Sequence, residues 1–345
     1  MPPPATSALL PRLVPVAFTP AEDAPPFTTA DRFALGPKGD VALPMAQGSE
    51  RMLGIFDSTG AMRTTAGVSG EGPGELRIPT PAVFEEDGLI ISDMGLPRVV
   101  TFDPQNGKVI ATTPISQPIP ILGAFGARLL MAVPTATGLM LPGWHMPGDA
   151  DFTPLVSPSD SFVVTRFAPA ADTRLSPLAT LGAWRGGVLV ADGRGYAIGV
   201  YDGTGRFLRA LTREVAPRFA TPTMITAFQR RAEAYRGPDG KAHSPARITA
   251  DVDKFRAAQQ PHFVHSSPLR EDRLGRIWIV GMEGDSAFAD LFTPTGQIGH
   301  LGIACPAFTG RWSLNGEWLA LLCDAPAASD RGAVLQLYRI VESGA

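Results

Sequence analysis

One unit recurs along these 345 residues: a Gly turn, an apolar run, then a second run ending in an aromatic that is often followed by Asp and another Gly turn. Its clearest copies are Asp87–Thr112, Gly186–Leu211 and Leu274–Leu301, with weaker ones at Lys38–Thr65 and Asn315–Val341. A degraded copy pairs Phe125–Val133 with the run Ser161–Phe167. Self-similarity at a fixed period is the mark of a repeat architecture and sets the fold class before any single element is read. The 37 Gly and 34 Pro point the same way. Helical bundles do not tolerate such a density of breakers, whereas short strands joined by turns require it.

The turn glycines Gly39, Gly88, Gly126, Gly187, Gly275 and Gly316 are spaced by 49, 38, 61, 88 and 41 residues. The two long spacings each contain an expected insertion. Residues 134–158 read as a Pro/Gly-rich loop. Residues 213–261 read as mainly helical, with TPTMITAFQRRAEAYRG opening on a Thr cap and stopping at Gly, and ARITADVDKFRAAQQ forming a second helix. Without them the period falls to about 40 residues, the length of a four-stranded propeller blade. A lone sheet of that size cannot cover both faces, and radial stacking does so. The expectation is therefore one all-β domain over 1–345, a six-bladed β-propeller with a helical insertion between blades four and five. Phe56, Phe102, Tyr201 and Phe292 would fill the wedges between blades. The last unit is one strand short and the first is preceded by an unpaired apolar run, about 9–18. That run is expected to close the last blade as its outer strand, where Pro11 and Pro15 are tolerated on a free edge.

The stretch GVSGEGPGELRIPTPAVFEEDGLIISDMGLPRVVTF, Gly67 to Phe102, resembles the NHL repeat of six-bladed β-propellers. The matching features are Gly72-Pro73-Gly74, Pro79 or Pro81 before an apolar strand, Asp87-Gly88, and Arg98-Val99 leading to Phe102-Asp103. The resemblance is to a bacterial family of mostly uncharacterised, often exported members, and it implies a shape rather than a reaction. Propeller relatives include lactonases and lyases that hold a metal on the channel axis. That implies an alternative to a binding or scaffold role: a hydrolase or lyase with a divalent metal, calcium for a ring of carboxylates.

Asp93 and Asp192 end equivalent strands and read either as such a carboxylate pair at the channel mouth or as turn caps. Pro44, Val133 and Val280 or Gly281 stand at the corresponding places in other repeats. His262 and His265 point to opposite faces of a strand, so they do not form a metal pair there. No nucleophile elbow, P-loop or Cys-x-x-Cys occurs. The basic 213–261 segment, with Arg230 and Arg231, reads as a cover for the channel mouth, as a docking element for a partner or a membrane surface, or as a solvated flap. Trp144 and His145 in the other insertion read either as a contact patch or as side chains packed onto the propeller face, and Arg98 completes the candidate ligand or partner residues. No cofactor is implied. A net charge of -3 argues against a nucleic-acid binder, and no apolar run reaches membrane-span length. The N-terminal run is not a secretory signal in form. The chain is expected to be periplasmic if an export signal has been removed and cytoplasmic otherwise. Cys305 and Cys323 fit either a disulfide between neighbouring strands or two buried thiols.

Overall fold

In the computed structural model of the chain, the apolar runs flanking each Gly turn form antiparallel hairpins, and the hairpins join into six four-stranded sheets. The structure describes residues 10–21, 32–47, 50–125, 128–134, 140–146, 149, 152–157, 159–163, 180–184, 187–192, 195–234, 242–260, 262, 269–283, 286–293, 296–305, 308–324 and 333–343. Blade one runs from Ala34 to Ala66, blade two from Pro79 to Pro114 and blade three from Ile121 to Pro154. Blade four runs from Thr180 to Thr212 and blade five from Arg270 to Ile303. Blade six combines Phe308–Asn315, Trp318–Asp324 and Ala333–Val341 with the N-terminal strand Arg12–Val16. The first strand of each blade touches the first strands of both neighbours, blade six meeting blade one, so the sheets form a closed ring: a six-bladed β-propeller.

The repeated aromatic has a geometric cause. In blades one, two, four and five the third strand shifts register against the fourth between Ile55 and Phe56, Thr101 and Phe102, Val200 and Tyr201, and Leu291 and Phe292. A bulge bends the strand and re-aims the side chain there. Each of these rings is at most 1% exposed and fills a wedge between blades. The Asp after three of them ends the strand as a turn cap. Asp57 accepts from the Thr59 amide at 2.8 Å and the Ala61 amide at 3.2 Å, and Asp202 from the Thr204 and Arg206 amides at 2.9 and 3.1 Å. Gly60 and Gly205 complete those turns at φ of +91° and +83°, which a side chain would oppose. Apolar side chains collect in six clusters, one in each wedge between consecutive blades.

Ring closure joins the two ends of the described chain. Arg12–Val16 is the outer strand of blade six, paired antiparallel with Leu337–Val341. Asn315 adds a second tie, donating its amide hydrogens to the carbonyls of Leu35 at 2.8 Å and Phe84 at 2.9 Å, and so linking blade six to blades one and two. Cys305 and Cys323 form a disulfide.

The third blade corrects the sequence reading. Residues 134–158, expected as a loop insertion, carry its third and fourth strands, Met140–His145 and Thr153–Pro154. Arg128–Pro134 pairs with Met140–His145, whereas 161–163, expected to be its partner run, is a helical turn, and 164–167 lie outside the described residues. Pro142 and Gly143 hid the strand. The ladder uses what proline retains: the Pro142 carbonyl accepts the Leu155 amide at 2.9 Å. Between blades four and five the chain forms helices Pro222–Ala234 and Pro245–Ala257, standing on a two-stranded stem that pairs Arg218–Phe219 with Gln259–Gln260. Thr221 caps the first helix, its hydroxyl accepting from the Met224 amide at 3.3 Å, and Ser244 caps the second, accepting from the Arg247 amide at 3.3 Å. Phe228 and Phe255 stack between them, their ring centres 4.3 Å apart.

Candidate functional site

Asp93 is fully buried, and its carboxylate accepts the amides of Arg77, Ile78 and Gly95 at 3.0 to 3.1 Å. Arg98 lies 3.5 Å from it and clamps the Gly-rich loop, donating to the carbonyls of Glu71, Gly72 and Glu75 at 3.0, 3.0 and 2.6 Å. Asp192 is 6% exposed and accepts the Gly195 amide at 3.1 Å. Each carboxylate caps the turn between the second and third strands of its blade, Asp93 through the Gly95 amide and Asp192 through the Gly195 amide, and Asp93 also holds the chain entering its own blade at Arg77 and Ile78. Trp144 and His145, placed among the candidate ligand or partner residues with packing onto the propeller as the alternative, are buried at 7% and 0%. This is a correction with a simple cause, since they belong to the third strand of blade three. Trp144 enters the wedge against blade four, where its indole N–H donates to the Gly203 carbonyl at 3.4 Å, and His145 packs on Phe152. Arg230 is exposed on the first insertion helix, while the side chain of Arg231 and all of His265 lie outside the described residues.

None of those residues lines the cavity of about 170 Å³ at the centre of the ring. Every inner strand contributes to its wall. Five supply a small side chain, Ala34, Ala82, Ala124, Ala183 and Ser313, and blade five supplies Arg270. The lining lies toward the Gly-turn ends of the inner strands, with Leu35, Phe84 and Asn315 among it. The helical insertion enters blade five at the opposite end of its inner strand, so it stands on the other face of the ring from the cavity.

Arg270 crosses this space. Its guanidinium donates to the Ala82 carbonyl of blade two at 3.3 Å, so it reaches the blade three places away around a ring of six. Removal from water pulls its pKa down to about 10, with Glu85 opposing the shift. Glu85 is exposed at the Gly-turn mouth, and Glu271 shares the lining. At Gly123 of blade three an added Cβ would fall 3.0 Å from Ala183 Cβ and 3.5 Å from an Arg270 nitrogen, so the wall is tight there. Sequence reasoning missed Arg270. The signal that finds it is the inner-strand position at which the other repeats carry Ala or Ser.

A second polar cluster lies between blades four and five. Asp290, fully buried, accepts from the Tyr196 hydroxyl, from Arg213 Nη1 at 2.5 Å and is 2.8 Å from His300 Nδ1. Burial first, and Asp290 second, raise the Tyr196 hydroxyl well above its ordinary pKa. Tyr196 holds φ at +48°, a left-handed value rare outside glycine. The His262 ring stands 5.9 Å away, its pKa lowered by burial and then by Arg218. Both ends of the insertion fasten here to Met282 of blade five: Arg218 donates to its carbonyl at 2.9 Å, and its amide donates to the His262 carbonyl at 3.3 Å. Among the described residues no three His, Cys, Asp or Glu side chains converge on a point where a metal ion would sit.

No family model matches the chain, and no curated protein matches it by sequence. Its fold is similar to that of a member of the DUF4221 family from Bacteroides vulgatus, with a TM-score of 0.58 at 9% identity over 97% of this chain and 99% of that one. It is also similar to a protein of Bacteroides fragilis named as an exported one, with a TM-score of 0.51 at 11% identity over 99% and 97% of the two chains. At such identities the likeness shows the propeller fold and nothing finer.

Proposed function

We propose that the chain is a non-catalytic binding propeller that takes a small ligand in its central cavity. The observation that carries this reading is the cavity wall, to which all six inner strands contribute and in which small side chains leave room around one arginine. A rigid ring with a preformed polar pocket on its axis suits capture and orientation. The helical pair on the opposite face, with Arg230, Arg247, Lys254 and Arg256 exposed, is assigned in this reading to a protein partner. Asp251 and Asp253 stand within 4 Å of Arg247 and Arg256 and temper its charge, which favours a protein over an anionic membrane.

The compartment belongs to the same proposal. A buried disulfide suits an oxidising setting, and one fold neighbour is named as exported, so an extracytoplasmic location is favoured. The test is native mass spectrometry of protein purified without denaturation, compared with protein refolded from urea. A mass difference that the refolded chain regains from a cell extract supports a bound small ligand. Turnover of a lactone or aryl ester on adding a divalent cation would replace this reading with the hydrolase alternative.

A further inference from the structure

Arg270 has one hydrogen bond, to Ala82, and no ion pair within 4 Å among the described residues. A guanidinium carries five N–H donors in a planar fork. Most of them therefore face the cavity. Arg270 is partly buried, so these donors meet water in the cavity, and an anion of matching geometry would exchange those water contacts for charged hydrogen bonds. The small residues of the other five inner strands leave the space that such an anion needs. The remaining charges define its size and valence. Glu85 and Glu271 share the lining, so a dianion would meet like charge, whereas a single carboxylate is neutralised by the fork.

We propose that Arg270 is the anchor of an oxyanion site on the propeller axis, and that its ligand is a small monocarboxylate held by the guanidinium fork. This rests on the reading of the cavity as a ligand site and adds the chemical class. The competing role is a structural strut between blades five and two, since the same side chain spans the ring.

Titration calorimetry and thermal melts with acetate and larger monocarboxylates, inorganic phosphate, and acetamide as the neutral isostere separate the two. Saturable binding of a monocarboxylate that raises the melting temperature, with phosphate weaker and acetamide silent, is expected. Arg270→Met should melt at or above the temperature of the unliganded wild type, because a partly desolvated charge with one protein hydrogen bond is gone, and should bind the carboxylate roughly 100-fold more weakly, two charged hydrogen bonds being lost. A marked fall in the melting temperature of Arg270→Met, with no anion response in the wild type, identifies a strut and overturns the proposal. Carboxylate binding that survives in Arg270→Met overturns it as well. Phosphate binding more tightly than any carboxylate overturns the monocarboxylate assignment. Failure here leaves the broader reading to its own test, since native mass spectrometry would still reveal a neutral or cationic ligand.

Discussion

Tyr196 and Asp290 meet across the seam between blades four and five, the phenol donating its hydrogen to a carboxylate wholly shielded from solvent. The same carboxylate neutralises Arg213, the residue at which the chain leaves blade four for the helical insertion. Asp290→Asn keeps the shape and deletes the charge, leaving Arg213 without its anion. A loss of about 3 kcal/mol is expected in urea unfolding. Tyr196→Phe removes the hydroxyl's hydrogen bonds with Asp290 and Arg213 and is expected to cost about 1–2 kcal/mol. Equal stability of wild type and Asp290→Asn would show that the seam rests on apolar packing alone.

The alkaline limb of stability follows from three phenols. Tyr196, Tyr201 and Tyr338 are all raised above the ordinary tyrosine value, burial being the largest cause in each. A group whose proton is held more tightly when folded contributes stability that is complete below its unfolded pKa, near 10, and is lost as pH rises toward the folded value. Stability should therefore change little across neutral pH on their account and fall from about pH 10 upward. Urea midpoints measured between pH 9 and 11.5 test this, and Tyr196→Phe should flatten the decline. A midpoint that rises over that range contradicts the assignment.

What was legible in the sequence was whatever the ring repeats. Gly turns, the aromatic at the bulge and the Asp after it recur because each blade solves the same bending problem, so six copies reinforce one weak pattern. Met140–His145 was hidden because Pro142 and Gly143 mimic a loop, and the compensating bond runs to Leu155, a partner no local reading supplies. Arg270, Asn315 and the Tyr196–Asp290 pair were missed for the opposite reason. Their partners lie 188, 280 and 94 residues away, and each breaks the repeat instead of obeying it. Asp93 stood out in sequence as an acid ending a repeated strand and Arg98 as part of the repeat-like motif, and the structure places both against the Gly-rich loop, a role that depends on contacts no local reading supplies.

Removal of residues up to Thr19 is expected to destabilise the fold out of proportion to its length. Leu10 and Leu13 pack into the wedge between blades five and six, and Val16 and Phe18 into the wedge between blades six and one. Ser343 also donates to the Leu10 carbonyl, and the Thr19 amide to the Thr59 carbonyl at 2.9 Å. Four half-buried apolar side chains at about 1 kcal/mol each, half of full burial, give a drop of about 6 °C in melting temperature for a chain of this length. The shortened chain should also self-associate, since the Ala333–Val341 edge is left unpaired. An unchanged melting curve and a monomeric elution volume would show that blade six closes without this strand.

The Cys305–Cys323 bridge joins the chain just beyond the last strand of blade five to the second strand of blade six, and both residues are buried to within 1%. It closes a loop of 18 residues, for which the loss of unfolded-state freedom is worth about 3 kcal/mol. Because water and reductant reach neither sulfur in the folded state, a thiol reagent should find no reactive thiol in the native protein and two after unfolding and reduction. Cys305→Ala with Cys323→Ala should fold, bind as the wild type does, and unfold at lower urea by the equivalent of that loss. The cavity lies at the ring centre and takes no residue from the bridge, so ligand affinity is the control that separates a stability effect from a functional one. Two thiols titrating in protein purified and then unfolded without any reductant would overturn the bridge and with it the argument for an oxidising compartment.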